Sequence, residues 1–117
     1  MKTEKQLSAE FHTAVNAVIP TYWLSRPTKI TGLFATWQIL DSSGLYSFGI
    51  NREVEDRTFQ LDIYADVDDL ENLEAKMDGV KTALEGINYR LQGSQADFLD
   101  SDLNKAVRVT RWERFNA

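Results

Sequence analysis

With 117 residues, 43% hydrophobic and 26% charged, the chain has the size and balance of one globular domain and is too apolar for intrinsic disorder. Its lack of cysteine excludes disulfides, thiolate nucleophiles and cysteine-held zinc; no apolar run reaches the roughly 20 residues needed to cross a bilayer, and MKTEKQLSAE has no hydrophobic signal core, so a cytosolic chain is expected. The net charge of −5 argues against a general nucleic-acid coat, and it is unevenly spread: Asp62 to Glu85 holds eight acids against two bases, Lys105 to Arg114 four bases against one acid, which predicts two oppositely charged faces.

Leu7, Phe11, Ala14, Val15 and Val18 recur at helical spacing and predict a first helix over about Lys5 to Ile19, stopped by Pro20, which lacks a backbone donor. TYWLSRP then reads as a short extended piece, and the β-branched, aromatic and aliphatic run Gly32 to Leu40 as a strand. Asp41-Ser42-Ser43-Gly44 is dense in turn residues; beyond it Leu45 to Arg57 stays extended, with Phe48, Ile50 and Val54 inward and Glu53, Glu55 and Arg57 outward. The following inward set, Phe59, Leu61, Ile63 and Ala65, is out of phase with the first, so a turn or bulge near Glu55-Asp56-Arg57 is needed to restore the register. Leu70, Leu73, Met77, Val80 and Leu84 then form the stripe of a second helix, broken mildly by Gly79 and ended near Gly86. Each large side chain of that stripe contributes roughly 1.5–3 kcal/mol when buried, which requires a sheet beneath it. Strands over Ile87 to Gln92 and Ala106 to Phe115, separated by the polar loop GSQADFLDSDLN, complete the chain. The expected fold is α+β, one domain over residues 1–117, with two helices packed on a mostly antiparallel four- to five-stranded sheet in the order αβββαββ.

The acids at the strand-to-helix switch, Asp66, Asp68 and Asp69, have a local explanation. Asp68 followed three residues later by Glu71 matches a capping box, which stabilises a helix start by about 1 kcal/mol. A calcium loop needs a turn glycine and a terminal ligand spacing that DVDDLENLE does not supply. His12, the single histidine, sits within the first helix with no carboxylate at i+4 and no second histidine, and no G-x-S-x-G turn is present, so it reads as an exposed or boundary helix residue. The glycines of GLYSFG lack the lysine and Ser/Thr of a phosphate loop and read as relief of strain in a hairpin. Trp23, Trp37, Trp112, Tyr22, Tyr46, Tyr64 and Tyr89 either stack bases or pack the sheet and another subunit, and the acidic net charge favours the second. The basic strand KAVRVTRWERF is either a solvated edge or a subunit contact. No catalytic, cofactor-binding or metal-binding residue is assigned.

The sequence of AVIPTYWLSRP, FATWQIL, RTFQLDIYAD, DLENLEAKMDGVKTALEG and YRLQGSQADFLDSDLNKAVRVTRWERF resembles the tail-terminator or tail-completion proteins of long-tailed bacteriophages over nearly the whole chain. It departs from them at SRPTKITGLF, where the family more often places an aromatic-proline-aromatic lead-in to the strand. The resemblance implies a structural protein without enzymatic activity or cofactor, which forms a ring, usually hexameric, at the head-proximal end of the tail tube of the virion. Its implied partners are copies of itself, the tail-tube protein and the head connector or neck protein, with neither a membrane nor sequence-specific nucleic acid among them. A cyclic ring needs two different patches that meet head to tail. On this reading Arg108, Arg111 and Arg114 of one copy face Asp68, Asp69, Glu71 and Glu74 of the next. Two rival expectations are a neck or head-closure protein, and a small dimeric α+β ligand-binding module or cofactor-free enzyme that uses His12 or Tyr64.

Overall fold

The computed structural model describes residues 2–23, 32–40, 53–54 and 58–114. Helix α1 spans Glu4–Asn16 and presents Leu7, Phe11 and Val15, all fully buried, at successive intervals of four. A further turn carries the chain to Ile19, whose amide donates to the Val15 carbonyl at 2.9 Å, before Pro20 ends it. Asn16 accepts from the Thr21 amide at 3.1 Å, which aims the chain into the next strand.

Eight strands lie in the described residues: β1 (Lys2–Thr3), β2 (Thr21–Trp23), β3 (Phe34–Leu40), β4 (Glu53–Val54), β5 (Thr58–Asp66), β6 (Tyr89–Ser94), β7 (Phe98–Asp100) and β8 (Lys105–Arg114). Helix α2 spans Leu70–Glu85. Strands β1 and β4 form a separate antiparallel pair. The main sheet runs β2-β3-β5-β8-β6, with β7 also on β8, and every pairing is antiparallel except β2 with β3. The α+β class and the alternation of helices and strands are as expected, but the sheet has six strands rather than four or five. The extra one, β7, lies inside the segment expected to be a polar loop; three residues, Phe98-Leu99-Asp100, are too few for a period-two signal.

Register sorts the side chains onto two faces. Ile39, Phe59 and Trp112 lie side by side across β3, β5 and β8, as do Trp37, Leu61 and Thr110, and Ala35, Ile63 and Arg108. These residues look toward the helices, and the core joins Phe11, Val15, Leu73, Val80 and Leu84 to Phe59, Leu61, Ile63, Tyr89 and Trp112. The expected inward set of β5 is buried throughout. Phe11 stacks on Phe59, with centroids 4.4 Å apart, and meets Tyr89 edge-on. Trp112 donates its indole N–H to Thr110 Oγ1 at 2.8 Å, and that hydroxyl donates to the Leu61 carbonyl at 2.9 Å, so these polar atoms of the core are paired. On the other face Phe34, Tyr64, Val107 and Val109 form a smaller buried cluster, with Phe34 stacked on Tyr64 at 4.6 Å.

The second helix follows its predicted stripe through Leu73, Val80 and Leu84, with Met77 partly buried, but Leu70 is exposed. Gly79 has a packing reason: a Cβ there would come within 3.0 Å of Val18 Cγ1, so the missing methyl lets α2 approach the end of α1. Gly86 keeps a right-handed helical conformation, and the left-handed residue that turns the chain into β6 is Asn88, with φ 71°. The turn segment Asp41–Gly44, the inward residues Phe48 and Ile50, Tyr46, the GLYSFG glycines and the register correction at Glu55-Asp56-Arg57 lie outside the described residues.

Candidate functional site

The strongest concentration of charge lies where β5 passes into α2 beside β7 and the start of β8. The capping box expected there is not formed. The residue at the helix N-cap is Asp69, not Asp68; its side chain makes no cap bond and instead accepts from Asn72 Nδ2 at 3.3 Å. Asp69 has φ −127° and ψ 39°, and its amide donates to the Asp66 carbonyl at 2.9 Å, so the chain turns through its backbone one residue later than the Asp-x-x-Glu spacing implied. Asp68, Asp69 and Glu71 project into solvent, where the positive end of the helix dipole favours them.

Two cations tie this corner together. Lys105, 4% exposed, donates to Asp66 Oδ1 at 2.6 Å and to the Gly32 carbonyl at 2.8 Å, with its ammonium 5.9 Å from the centre of the Phe34 ring. A buried ammonium is tolerated because an anion and a carbonyl dipole replace its water. Arg108 stands on the helix face of β8 and is held by three bonds: Nε to Asp97 Oδ1 at 2.8 Å, Nη2 to Asp97 Oδ2 at 2.9 Å, and Nη2 to Glu74 of α2. Hydrogen bonds donated to Asp97 and Glu74 push the guanidinium still further toward its charged form, against a smaller opposing effect of burial.

Asp97 reaches Arg108 because the β6–β7 arm carries surplus residues. Register shifts between Leu91 and Gly93; then Ser94 to Phe98 takes four steps while β8 takes three from Thr110 to Val107. Gln95 stays tied to β8 through its amide on the Val109 carbonyl at 3.0 Å, and the second surplus lies between it and Phe98, where it brings the Asp97 carboxylate to Arg108.

The residues expected at a subunit contact therefore separate into two groups. Arg108 and Glu74 find each other within one chain, and Arg114 Nε lies 3.4 Å from Glu10 Oε1 of α1. Asp68, Asp69, Glu71 and Arg111 are exposed, Arg111 opposite Gln60 on the face that carries no helix among the described residues. Beside the Arg114 pair, the buried Tyr89 hydroxyl donates to the Leu7 carbonyl at 3.4 Å; burial, then the Glu10 charge, raises its pKa well above the phenol range despite Arg114, which leaves it a neutral structural group.

His12 is a boundary helix residue whose Nδ1 accepts the Trp37 indole N–H at 3.0 Å, so the imidazole braces the aromatic core. Tyr64 is buried in the helix-free cluster. Asp62, between Thr36 and Val109 on that face, accepts from Gln60 Nε2 at 3.1 Å; desolvation raises its pKa, and the Gln60 bond opposes the rise. Among the described residues no three histidine or carboxylate side chains converge as a metal-binding group.

Of the aromatic residues described, Trp37, Trp112, Tyr64 and Tyr89 are packed into the sheet, whereas Trp23 on β2 is 60% exposed. Leu99 at 57% and Phe98 at 49% stand out on β7, and Val67 and Leu70 flank the same acidic corner. Sequence reading missed Asp97, Lys105, Glu10, Phe98 and Leu99. Phe98-Leu99 amid acids is the one local signal that marked any of them, since the others depend on which strands lie together. The chain matches no protein-family model, and no curated protein matches it either.

Proposed function

We propose that the chain is a structural ring component of a long-tailed phage, a tail terminator or tail-completion protein that assembles with copies of itself on the head-proximal end of the tail tube, ends tube growth and offers a surface to the head connector. The observation that carries this reading is the placement of large apolar side chains in solvent at the two lateral edges of the sheet, Trp23 on β2 and Phe98 and Leu99 on β7. Exposed aromatic and aliphatic anchors of this kind suit protein–protein contact. The charged residues divide in the same sense: Lys105 and Arg108 hold elements together inside the chain, while Asp68, Asp69, Glu71 and Arg111 remain at the surface to orient a neighbouring copy. The rival pocket enzyme built on His12 or Tyr64 draws no support, since both side chains are used in packing.

The test combines the purified chain with tail tubes and polymerising tube protein encoded beside it. The expected result is ring-shaped density on one end of each tube, in electron micrographs, with tube elongation arrested. Tubes that grow at the same rate and keep bare ends in the presence of excess protein overturn the proposal; attachment to filled heads instead of tubes assigns the chain to the neck.

A further inference from the structure

The two lateral edges of the main sheet are complementary in length, face and charge. On one side lies β2, three residues long; on the other, the β6–β7 arm, whose β6 part is interrupted by a register shift and whose β7 part, paired without one, is also three residues long. Among the described residues, neither β2 nor β7 has a strand on its outer side. Bulges blunt an edge against strand addition, so β7 is the more receptive part of its arm. Strand direction follows from the pairings: β2 runs with β3, β5 against it, β8 with it and β7 against it. When two copies lie side by side in the same orientation, β7 of one therefore meets β2 of the next antiparallel.

Register fixes the faces as well. Trp23 aligns with Trp37 on the helix side, and Leu99 aligns with Ala106, which aligns with Ala65, also on the helix side. Tyr22 and Phe98 both fall on the opposite face, next to Phe34 and Val107. A continued antiparallel sheet with Leu99 opposite Trp23 thus leaves Phe98 and Tyr22 as diagonal neighbours on the other face of the junction.

Charge selects this junction over a symmetric one. From Phe11 to Leu40, the stretch that contains β2, the sequence has no acid and two bases, Arg26 and Lys29, three and six residues beyond the strand and outside the described residues. From Gly93 to Asn104, the stretch that contains β7, it has Asp100 and Asp102, besides Asp97, which is held by Arg108, and no base. Two β7 strands facing each other would set acids against acids.

From these observations we infer that β7 of one copy adds to β2 of a second copy in an antiparallel, head-to-tail junction that continues the sheet from subunit to subunit. The inference rests on the reading that the chain assembles with itself. Because each copy offers one donor and one acceptor edge, the contact is heterologous and closes as a ring when the subunit rotation permits.

Complementation tests it. Leu99→Asp disables β7 and leaves β2; Trp23→Asp does the reverse. Each variant alone is expected to be monomeric by light scattering under conditions in which the wild type assembles, including on tail tubes. A one-to-one mixture is expected to give a dimer and nothing larger, through the one intact edge of each. The chain has no cysteine, so single Trp23→Cys and Leu99→Cys variants add a readout that places no charge at either edge. Under oxidation their mixture should give a disulfide-linked heterodimer, whereas each alone should not give a homodimer. Two results overturn the junction but leave the ring reading standing: wild-type rings whose Trp23→Cys and Leu99→Cys variants do not cross-link when mixed, or an aspartate-variant mixture that stays monomeric. A wild-type chain that never self-associates, even on tubes, overturns both. Homodimers of Leu99→Cys alone overturn the head-to-tail arrangement in favour of a symmetric contact.

Discussion

Trp112 and Trp23 are the same residue in two settings. Trp112 has no exposed surface, bonds through Thr110 to Leu61 and lies within the core beneath the helices. Trp23 is stacked on Trp37 at 6.0 Å but leaves most of its surface in water, on a strand at the end of the sheet. The contrast between the helix-covered centre and the lateral edges teaches that aromatic composition says little about role; the position of the strand in the sheet decides whether a ring stabilises the fold or waits for a partner.

That contrast can be broken by substitution. The largest effect is expected at the centre: Trp112→Ala should lower unfolding stability by about 3–5 kcal/mol in a urea titration, because a large cavity opens and the Thr110 hydroxyl loses its donor. Arg108→Ala should cost about 1–3 kcal/mol by the same measurement, since it leaves Asp97 and Glu74 side by side with no cation; Glu74, being mostly exposed, contributes the smaller share. Arg108→Lys should recover only part of the loss, because an ammonium cannot make the bidentate bond to Asp97.

Next in size is the meeting of the two helices. Ala in place of Gly79 gains about 1 kcal/mol of intrinsic helix stability but drives its methyl toward Val18, so the gain should be cancelled in the wild-type background and appear when Val18 is also replaced by Ala. A double-mutant cycle in denaturant measures that coupling.

The helix-free face gives a smaller, pH-dependent effect. Because burial raises the Asp62 pKa in the folded state, the native chain binds the proton more tightly than the unfolded chain does. This site therefore favours folding at pH values below the unfolded Asp pKa of about 3.9, and its contribution is lost as pH rises from there through the folded pKa. Asp62→Asn should raise the melting temperature at pH 7 and leave it little changed near pH 3. The smallest effect belongs to the edge: Leu99→Ser should shift stability by no more than about 0.5 kcal/mol, since the side chain it removes is already in water. A large loss there, in the isolated chain, would mean that β7 supports the fold itself.

Helix α2, the alternation of β5 and helix α1, which ends at Asn16 rather than at the expected Ile19, were legible because each depends on neighbours a few residues apart. The second helix was readable even to its stripe, apart from Leu70, the first residue of the helix, which is exposed. The start of that helix was not: an Asp-x-x-Glu spacing permits a capping box, but the exit of β5 and the bond from the Asp69 amide to Asp66 decide which residue takes the N-cap. At the candidate site the acids and cations were visible as two opposed charge runs, yet their pairing was not. Arg108 meets Glu74 inside the chain because β8 lies beneath α2, and meets Asp97 because surplus residues in a distant arm bring that carboxylate to it.

By itself the sequence determined the two helices, the longer strands β3, β5, β6 and β8, and the apolar side of α1, α2 and β5, since those follow from side-chain period and backbone freedom at each residue. Tertiary structure alone decided that Lys105 is buried against Asp66, that β7 exists, and that Trp23 and Leu99 stand on opposite edges of one sheet. Those outcomes depend on strand order and register between segments tens of residues apart, where the competing arrangements satisfy the same local pattern and only packing of the whole separates them.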